Sequence, residues 1–457
     1  MPDIVFSEIK KELPDIFEFI APGSKSVTNR ILICSALNKS VNRVSNFLLA
    51  EDTLIMINAL SKLGIKYRYY HDRKTLEKTN FLPERNAEIY LGYAGTAYRF
   101  LLAMLLFLRG RFVFYGESEL HKRPITELIN SLNTMIDGEI IQRQDRIEAN
   151  SSGLKNIDSI DIDARKSSQF LTALLLVAPV IFDKFKITSS SEIISKTYID
   201  LTIDMLNSTG ISVINDNYRQ FIFESKQQYN FSNYNVEGDY SAASYFAGIA
   251  MLTGRKTIIK NLNKFSVQGD KELLHIFERM GASVHYNDYE KSVAIIPNKA
   301  TLSGAGIVDM SKMQDVVPTL AVVAAFTQGK TIITNIGNLK FKECDRYAAL
   351  HTELKKCGVN ITAENDSLII VGADSSSYNF AEIETYKDHR MAMAFSLMAL
   401  KIPGIVIKSA ECASKTFPGF FEQFLKLFGK DMNAGNYYSE IYKSAYNEFS
   451  EKTEMIK

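Results

Sequence analysis

The chain has no tryptophan, and only four cysteines and six histidines among its 457 residues. Cys34, Cys344, Cys357 and Cys412 form no CxxC pair and no Cys/His group with metal-ligand spacing. A structural zinc site is therefore not expected, and a reducing, cytoplasmic setting is. Apolar runs such as FLLAMLLFL, 100–108, fall well short of the roughly 20 residues that a spanning helix needs. No basic stretch followed by an unbroken apolar run opens the sequence, so no secretory signal is read there. An excess of charge of either sign is also missing. Lys and Arg number 53 against 52 Asp and Glu, for a net charge of +1, so no global field favours nucleic acid or a membrane surface. Any anion site must be a local concentration of charge. The length and the 46% hydrophobic content suit two or more globular domains.

What the chain does have is a repeat. Six segments join a polar or charged lead-in to an apolar, helix-like run rich in Ala, Leu and Met. They are GSKSVTNRILICSAL from Gly23, GYAGTAYRFLLAMLLF from Gly92, RKSSQFLTALLLVA from Arg165, EGDYSAASYFAGIAML from Glu237, MQDVVPTLAVVAAF from Met313 and KDHRMAMAFSLMAL from Lys387. Their starts are spaced by roughly seventy to seventy-five residues. A second marker keeps the same beat: phrases such as ALSKLGIKY, IFERMGASV and ELKKCGVNI place a helix-ending Gly before a β-rich pair. ASVHYNDYEKSVAIIP and VNITAENDSLIIVG each read as a hairpin around Asn/Asp. In circular order each unit reads βαβαββ. The tail from about Lys430 lies outside the repeat and reads as a surface helix or partly disordered segment.

Helix starts are where chemistry would collect, because their free N–H groups and positive dipole end suit anions. Lys25 and Arg30 stand at the front of the first helix, where cations are unfavourable unless something negative joins them. Ser24 and Ser26 accompany them; Gly92, Gly95, Thr96 and Arg99 open the second helix, and Ser167, Ser168 and Gln169 the third. Asp315 precedes the fifth, and Asp388, His389 and Arg390 open the sixth. N-capping accounts for any single Ser, Thr or Asp here, but not for the basic residues beside them. Three loops add charge: Lys122 and Arg123 in ESELHKRPITEL, Lys340 to Arg346 in NLKFKECDRYAAL, and Lys415 in ECASKTFPGFF.

With PGSKSVTNR, GYAGTAYR, KRPI, SSQFLTALL, SKTYIDLT, EGDYSAASYF, DVVPT, KFKECDR, DHRMAMAFSL and SKTFPGFF in that order, the sequence resembles the 5-enolpyruvylshikimate-3-phosphate synthase family of enolpyruvyl transferases. The resemblance implies an α/β fold: a two-domain inside-out α/β barrel of six βαβαββ repeats, three per domain. Residues 1–21 with 243–457 would form one domain, the tail from about 430 being extra, and 22–242 the other. The implied reaction transfers the enolpyruvyl group of phosphoenolpyruvate to the 5-hydroxyl of shikimate 3-phosphate. Both substrates are anions, which would neutralise Lys25 and Arg30.

Carried over by motif, the shikimate 3-phosphate side comprises Lys25, Ser26, Arg30, Ser167, Ser168, Gln169, Ser195, Tyr198, Asp315, Asn338 and Lys342. The phosphoenolpyruvate side comprises Lys25, Gly95, Arg123, Gln169, Arg346, Arg390 and Lys415. Asp315 is the implied base at the 5-hydroxyl, and Lys25 and Glu343 the groups that exchange protons with carbon and the leaving phosphate. Lys25 is expected to be crowded by cations, and His389 to assist or to support the anion site. No metal or organic cofactor is implied, and neither nucleic acid nor membrane as partner; a monomer that closes on its substrates is expected. Tyr93, Phe100 and Thr197 depart from the family's common Asn, Pro and Pro, and the first two flank the Gly95 loop. Glyphosate is expected to compete with phosphoenolpyruvate because AGTA keeps Gly95. The related UDP-N-acetylglucosamine enolpyruvyl transferases open with a GAKN-like motif and carry a reactive residue, usually Cys, on the counterpart of the ESELHKRP loop. Here GSKS stands, with no Cys between Cys34 and Cys344. An RNA 3′-phosphate cyclase-like anion-binding protein would need a basic surface that the balanced charge does not supply.

Overall fold

The computed structural model describes residues 3–6, 13–298, 300–429 and 437–456. The chain divides into two compact units, Met1–Pro22 with Glu237–Glu440, and Gly23–Val236 with Ile441–Lys457. Six small sheets are present among the described residues, three in each unit, each mixing parallel and antiparallel pairs.

One sheet of the second unit shows how the sequence builds them. Strand Asn86–Tyr90 leads through helix Gly95–Met104 to the parallel strand Gly110–Tyr115. Helix Thr126–Met135 then leads to Ile136–Gln142 and Arg146–Leu154, which pair as a hairpin, and Arg146–Leu154 closes antiparallel on Gly110–Tyr115. The parallel pair needs a long crossover, which the helix supplies, whereas the antiparallel pair needs only a turn. Ser159–Ile162 to Phe223 and Gly306–Asp309 to Gly372 run through the same element order. The two hairpins expected around Asn/Asp are Ala282–Asn287 with Ser292–Pro297 and Asn360–Glu364 with Ser367–Gly372. Gly64 follows helix Glu51–Lys62 at φ +105°, where a β-carbon would run into the carbonyl oxygen of Leu82.

The apolar runs of the repeat become core helices. In the second unit Lys25–Leu37, Gly95–Met104 and Ser168–Val177 pack on one another, and in the first Val317–Ala325 packs against Tyr240–Thr253 and His389–Ser396. Every residue of Val317–Ala325 is buried, as is every residue of Tyr240–Leu252. This is why these runs lack a polar stripe. Cys34 sits in this packing, fully buried, as plain core. Four core helices, starting at Gly95, Ser168, Val317 and His389, follow the first strand of a parallel pair. Their N-termini therefore open at the carboxyl end of that strand.

The C-terminal segment corrects the expected division at 22 and 242. Residues 441–457 belong with the second unit rather than the first. Helix Glu440–Lys452 leads into strand Glu454–Ile456, which adds in parallel to Ile65–Tyr70. An unpaired strand edge offers a row of free N–H and C=O groups, and the tail takes it up. The beginning of the tail, 430–436, lies outside the described residues.

Candidate active site

In the first unit a single guanidinium organises the charge. Arg346 begins helix Arg346–Lys356 and is 1% exposed. Its Nε and Nη2 donate to Asp388 at 2.7 and 3.2 Å, Nη2 also to Glu343 at 2.7 Å, and Nη1 to Asp315 at 3.2 Å. Burial pulls its pKa down, but Asp388, Glu343 and Asp315 together hold it above the ordinary arginine value. Asp388 earns its position twice. It caps helix His389–Ser396 by accepting the N–H of Arg390 at 2.8 Å, and it is itself fully buried.

Around this centre Asp315 takes Arg390 Nη2 at 2.7 Å and Lys342 Nζ at 3.3 Å, and Glu343 takes Lys415 Nζ at 3.2 Å. Arg346, Arg390, Lys342 and Lys415 thus meet Asp315, Glu343 and Asp388. Buried ion networks contribute little net stability because of desolvation, so this concentration marks a functional site more than a fold device. Asp270 adjoins it. It accepts a short hydrogen bond from Ser241, and its carboxyl is pushed up to about 7 by burial and then by Asp315, against the pull of Arg390. Asn338 lies in the turn Gly337–Phe341, directly before Lys342. His389 is buried, with Nδ1 3.7 Å from Asp388.

The second unit holds a separate set. Arg99 donates through Nη1 to the Gly95 carbonyl at 3.0 Å and to Gln169 Oε1 at 3.3 Å, and through Nη2 to the Pro124 carbonyl at 2.7 Å. Gln169 in turn donates to Thr96 Oγ1 at 3.2 Å. A β-carbon on Gly95 would lie 2.6 Å from Arg99 Nη1 and 2.7 Å from Arg123 Cζ, so Gly95, Arg99, Arg123 and Gln169 converge on one place. Ser167 caps the helix Ser168–Val177 through the N–H of Gln169.

Lys25 pairs with Asp52 at 3.5 Å. Arg30 is buried, bonded through Nε to Thr202 Oγ1 at 2.9 Å and through its η nitrogens to the carbonyls of Ser26 and Tyr198. Its guanidinium lies 5.6 Å from the Phe100 ring and 5.8 Å from that of Tyr198. Burial depresses it to about 10, with Tyr198 and Cys34 opposing. Ser195 stands at φ +52° without capping its helix by its side chain, a conformation that a non-glycine residue adopts at a cost.

The EPSP synthase (3-phosphoshikimate 1-carboxyvinyltransferase) family model matches residues 18–424. The chain belongs to the EPSP synthase family. Among curated relatives, a 3-phosphoshikimate 1-carboxyvinyltransferase from Colwellia psychrerythraea is 37% identical over 418 residues, spanning 90% of this chain and 96% of the relative. One of the same name from Buchnera aphidicola subsp. Schizaphis graminum is 38% identical over 415 residues, spanning 89% and 95%. A solved EPSP synthase of Acinetobacter baumannii shares the fold, with a TM-score of 0.75 at 24% identity over 93% of this chain and 98% of that one. Every candidate residue from Lys25 to Lys415 falls inside the EPSP synthase match, and helix Glu440–Lys452 falls beyond it.

Four residues bonded to or adjoining candidate residues within one unit or the other were absent from the candidate sets: Asp52, Arg99, Asp270 and Asp388. Asp52 follows Glu51 in a helix first turn, where acids read as dipole partners, and Asp388 reads as a cap. Arg99 stood out only as a cation in a first turn. Asp270 carried no local signal. Among the described residues no group of three or more His, Cys, Asp or Glu is placed to hold a metal ion, and no helix is long and apolar enough to cross a membrane.

Proposed function

We propose that this chain transfers the enolpyruvyl group of phosphoenolpyruvate to the 5-hydroxyl of shikimate 3-phosphate, releasing phosphate. The observation that carries the reading is the EPSP synthase match over 18–424. The cationic network around Arg346 gives it a chemical footing, because both substrates are multiply charged anions.

The reaction needs a proton at the methylene carbon of phosphoenolpyruvate and one removed from the hydroxyl. The hydroxyl oxygen adds to the carbon bearing phosphate, giving a tetrahedral ketal phosphate. Loss of a methyl proton and of phosphate then restores the double bond. Asp315 is the base in this scheme: Lys342 and Arg346 pair with one of its oxygens and Arg390 with the other, which directs both. Glu343 lies between Arg346 and Lys415 and serves as the proton carrier at carbon, with Lys25 at the departing phosphate. Planar guanidinium groups such as those of Arg123 and Arg390 suit the carboxylate and phosphate of phosphoenolpyruvate, and Lys415 offers a point charge. Arg346 already commits four N–H contacts to carboxylates, so its part is to orient Glu343 and Asp315 more than to clamp substrate. Ser26, Ser167, Ser168, Gln169, Ser195, Tyr198, Asn338 and Lys342 would serve the sugar-like ring and its phosphate, with Arg30 bracing Tyr198 from within.

Under the same reading the three sheets of each unit wrap their core helices as an inside-out α/β barrel, and the enzyme works as a cytoplasmic monomer. Phosphate release that requires both substrates together is the test. Asp315→Asn should lower kcat by roughly 10²- to 10⁴-fold, the usual range for loss of an acid–base group. Phosphate released from phosphoenolpyruvate alone, or full activity in Asp315→Asn, would refute the assignment.

A further inference from the structure

The C-terminal helix begins against the loop of the second unit that leads to Gly95. Helix Glu440–Lys452 is anchored along its length: Asn58 Nδ2 donates to the Ala445 carbonyl at 2.8 Å, Lys62 pairs with Glu448 at 3.3 Å, and buried Phe449 stands edge-on to Tyr69 at 5.5 Å. Beyond it, strand Glu454–Ile456 is tied to Ile65–Tyr70, with Arg68 and Glu454 paired at 2.9 Å. These anchors hold the helix along its middle and far end. In its first turn Ile441 meets Gly92. Ile441 Cγ2 lies 3.3 Å from where a Gly92 β-carbon would stand, and Ile55 Cδ1 lies 3.0 Å from the same point.

Gly92 is the hinge end of the loop that closes on Gly95. It sits at φ +49°, and its carbonyl accepts the N–H of Glu117 at 3.0 Å. The loop is short and internally bonded, Ala94 N–H to Leu91 and Gly95 N–H to Tyr93, both at 2.8 Å. A displacement at Gly92 is therefore passed to Gly95 rather than absorbed between them. At Gly95 the loop carbonyl receives Arg99, and its bare Cα faces Arg123. Glu117, bonded to Gly92, begins the segment that carries Arg123.

We propose that the C-terminal helix is a positioning element for the reaction: Ile441, with Ile55, seats Gly92 and so sets how tightly the Gly95–Arg123 pocket takes phosphoenolpyruvate. The proposal rests on the function assigned above. The family match ends at 424, so Ile441 lies beyond it while Gly92 and Ile55 lie within.

The test is steady-state kinetics on the full chain with each substrate varied in turn. Ile441→Ala should raise KM for phosphoenolpyruvate by roughly three- to tenfold, as expected for a small misplacement of a binding group. KM for shikimate 3-phosphate and kcat should stay within about twofold, and Ile441→Val should restore most of the loss. Lys62→Ala, which loosens the far end of the same helix, should leave all three constants near wild type. Unchanged KM for phosphoenolpyruvate in Ile441→Ala, parallel losses in both KM values and kcat, or equal effects from Lys62→Ala would each overturn the proposal. Wild-type chain that releases no phosphate from the substrate pair would overturn the assigned function first, and this proposal with it.

Discussion

Gly95→Ala separates binding from folding. The backbone of Gly95 lies at the start of a helix and needs no left-handed conformation, so alanine is compatible with it and gains up to about 1 kcal/mol of helix propensity. The new methyl group would stand 2.6 Å from Arg99 Nη1, against 3.4 Å for ordinary contact. The guanidinium must therefore move by 0.8 Å (3.4 − 2.6), and Arg123, which approaches closer still, by more. The obstructing atoms are ends of flexible side chains rather than backbone, so the fold yields at low cost and the loss falls on the arginines. Displacement on the order of 1 Å in a positioned group costs up to about 10²-fold in rate. The expected outcome is a KM for phosphoenolpyruvate raised by about ten- to a hundredfold, with the melting temperature within about 2 °C of wild type. Phosphate-release kinetics and a thermal melt measure both. The same variant should weaken competitive inhibition by glyphosate, which we place in the same pocket. Unchanged KM, or a melt lowered by many degrees with KM intact, would show that the arginines do not yield as argued.

Arg346→Met should destabilise the first unit by about 3–5 kcal/mol, because three carboxylates lose the partner they share in a buried setting. Arg346→Lys should recover little of this, since a point charge cannot span Asp388, Glu343 and Asp315 together; chemical denaturation of both variants checks it. Asp270→Asn tests the raised carboxyl. With a folded value of about 7 against 3.8 unfolded, the native state keeps a proton that the unfolded chain has released, so this group's contribution is lost as pH rises through that window. The stability of the variant relative to wild type should therefore grow between about pH 4 and pH 7 and level off above, and a difference that stays flat in paired melts would refute the assignment.

Much of this protein is legible along the chain because it depends on neighbours in sequence. The six-fold beat, the apolar core helices, the Asn/Asp hairpins and the caps at Ser167 and Asp388 follow from local periodicity and from which side chains satisfy free N–H groups. The ordered motifs likewise mark which loops carry cations. The partners of those cations were decided only by the fold. Arg346 joins residues 31 and 42 positions away, and Glu343 reaches Lys415 across 72. Lys25 pairs with Asp52, Arg30 turns inward onto Thr202 and Tyr198, and Asp270 acquires its neighbours from other helices. The tail gave no periodic sign of a sheet partner, yet Glu454 lies opposite Arg68. Ion pairs and edge strands depend on which surfaces packing brings within a few ångströms, and helical or strand periodicity contains no record of that.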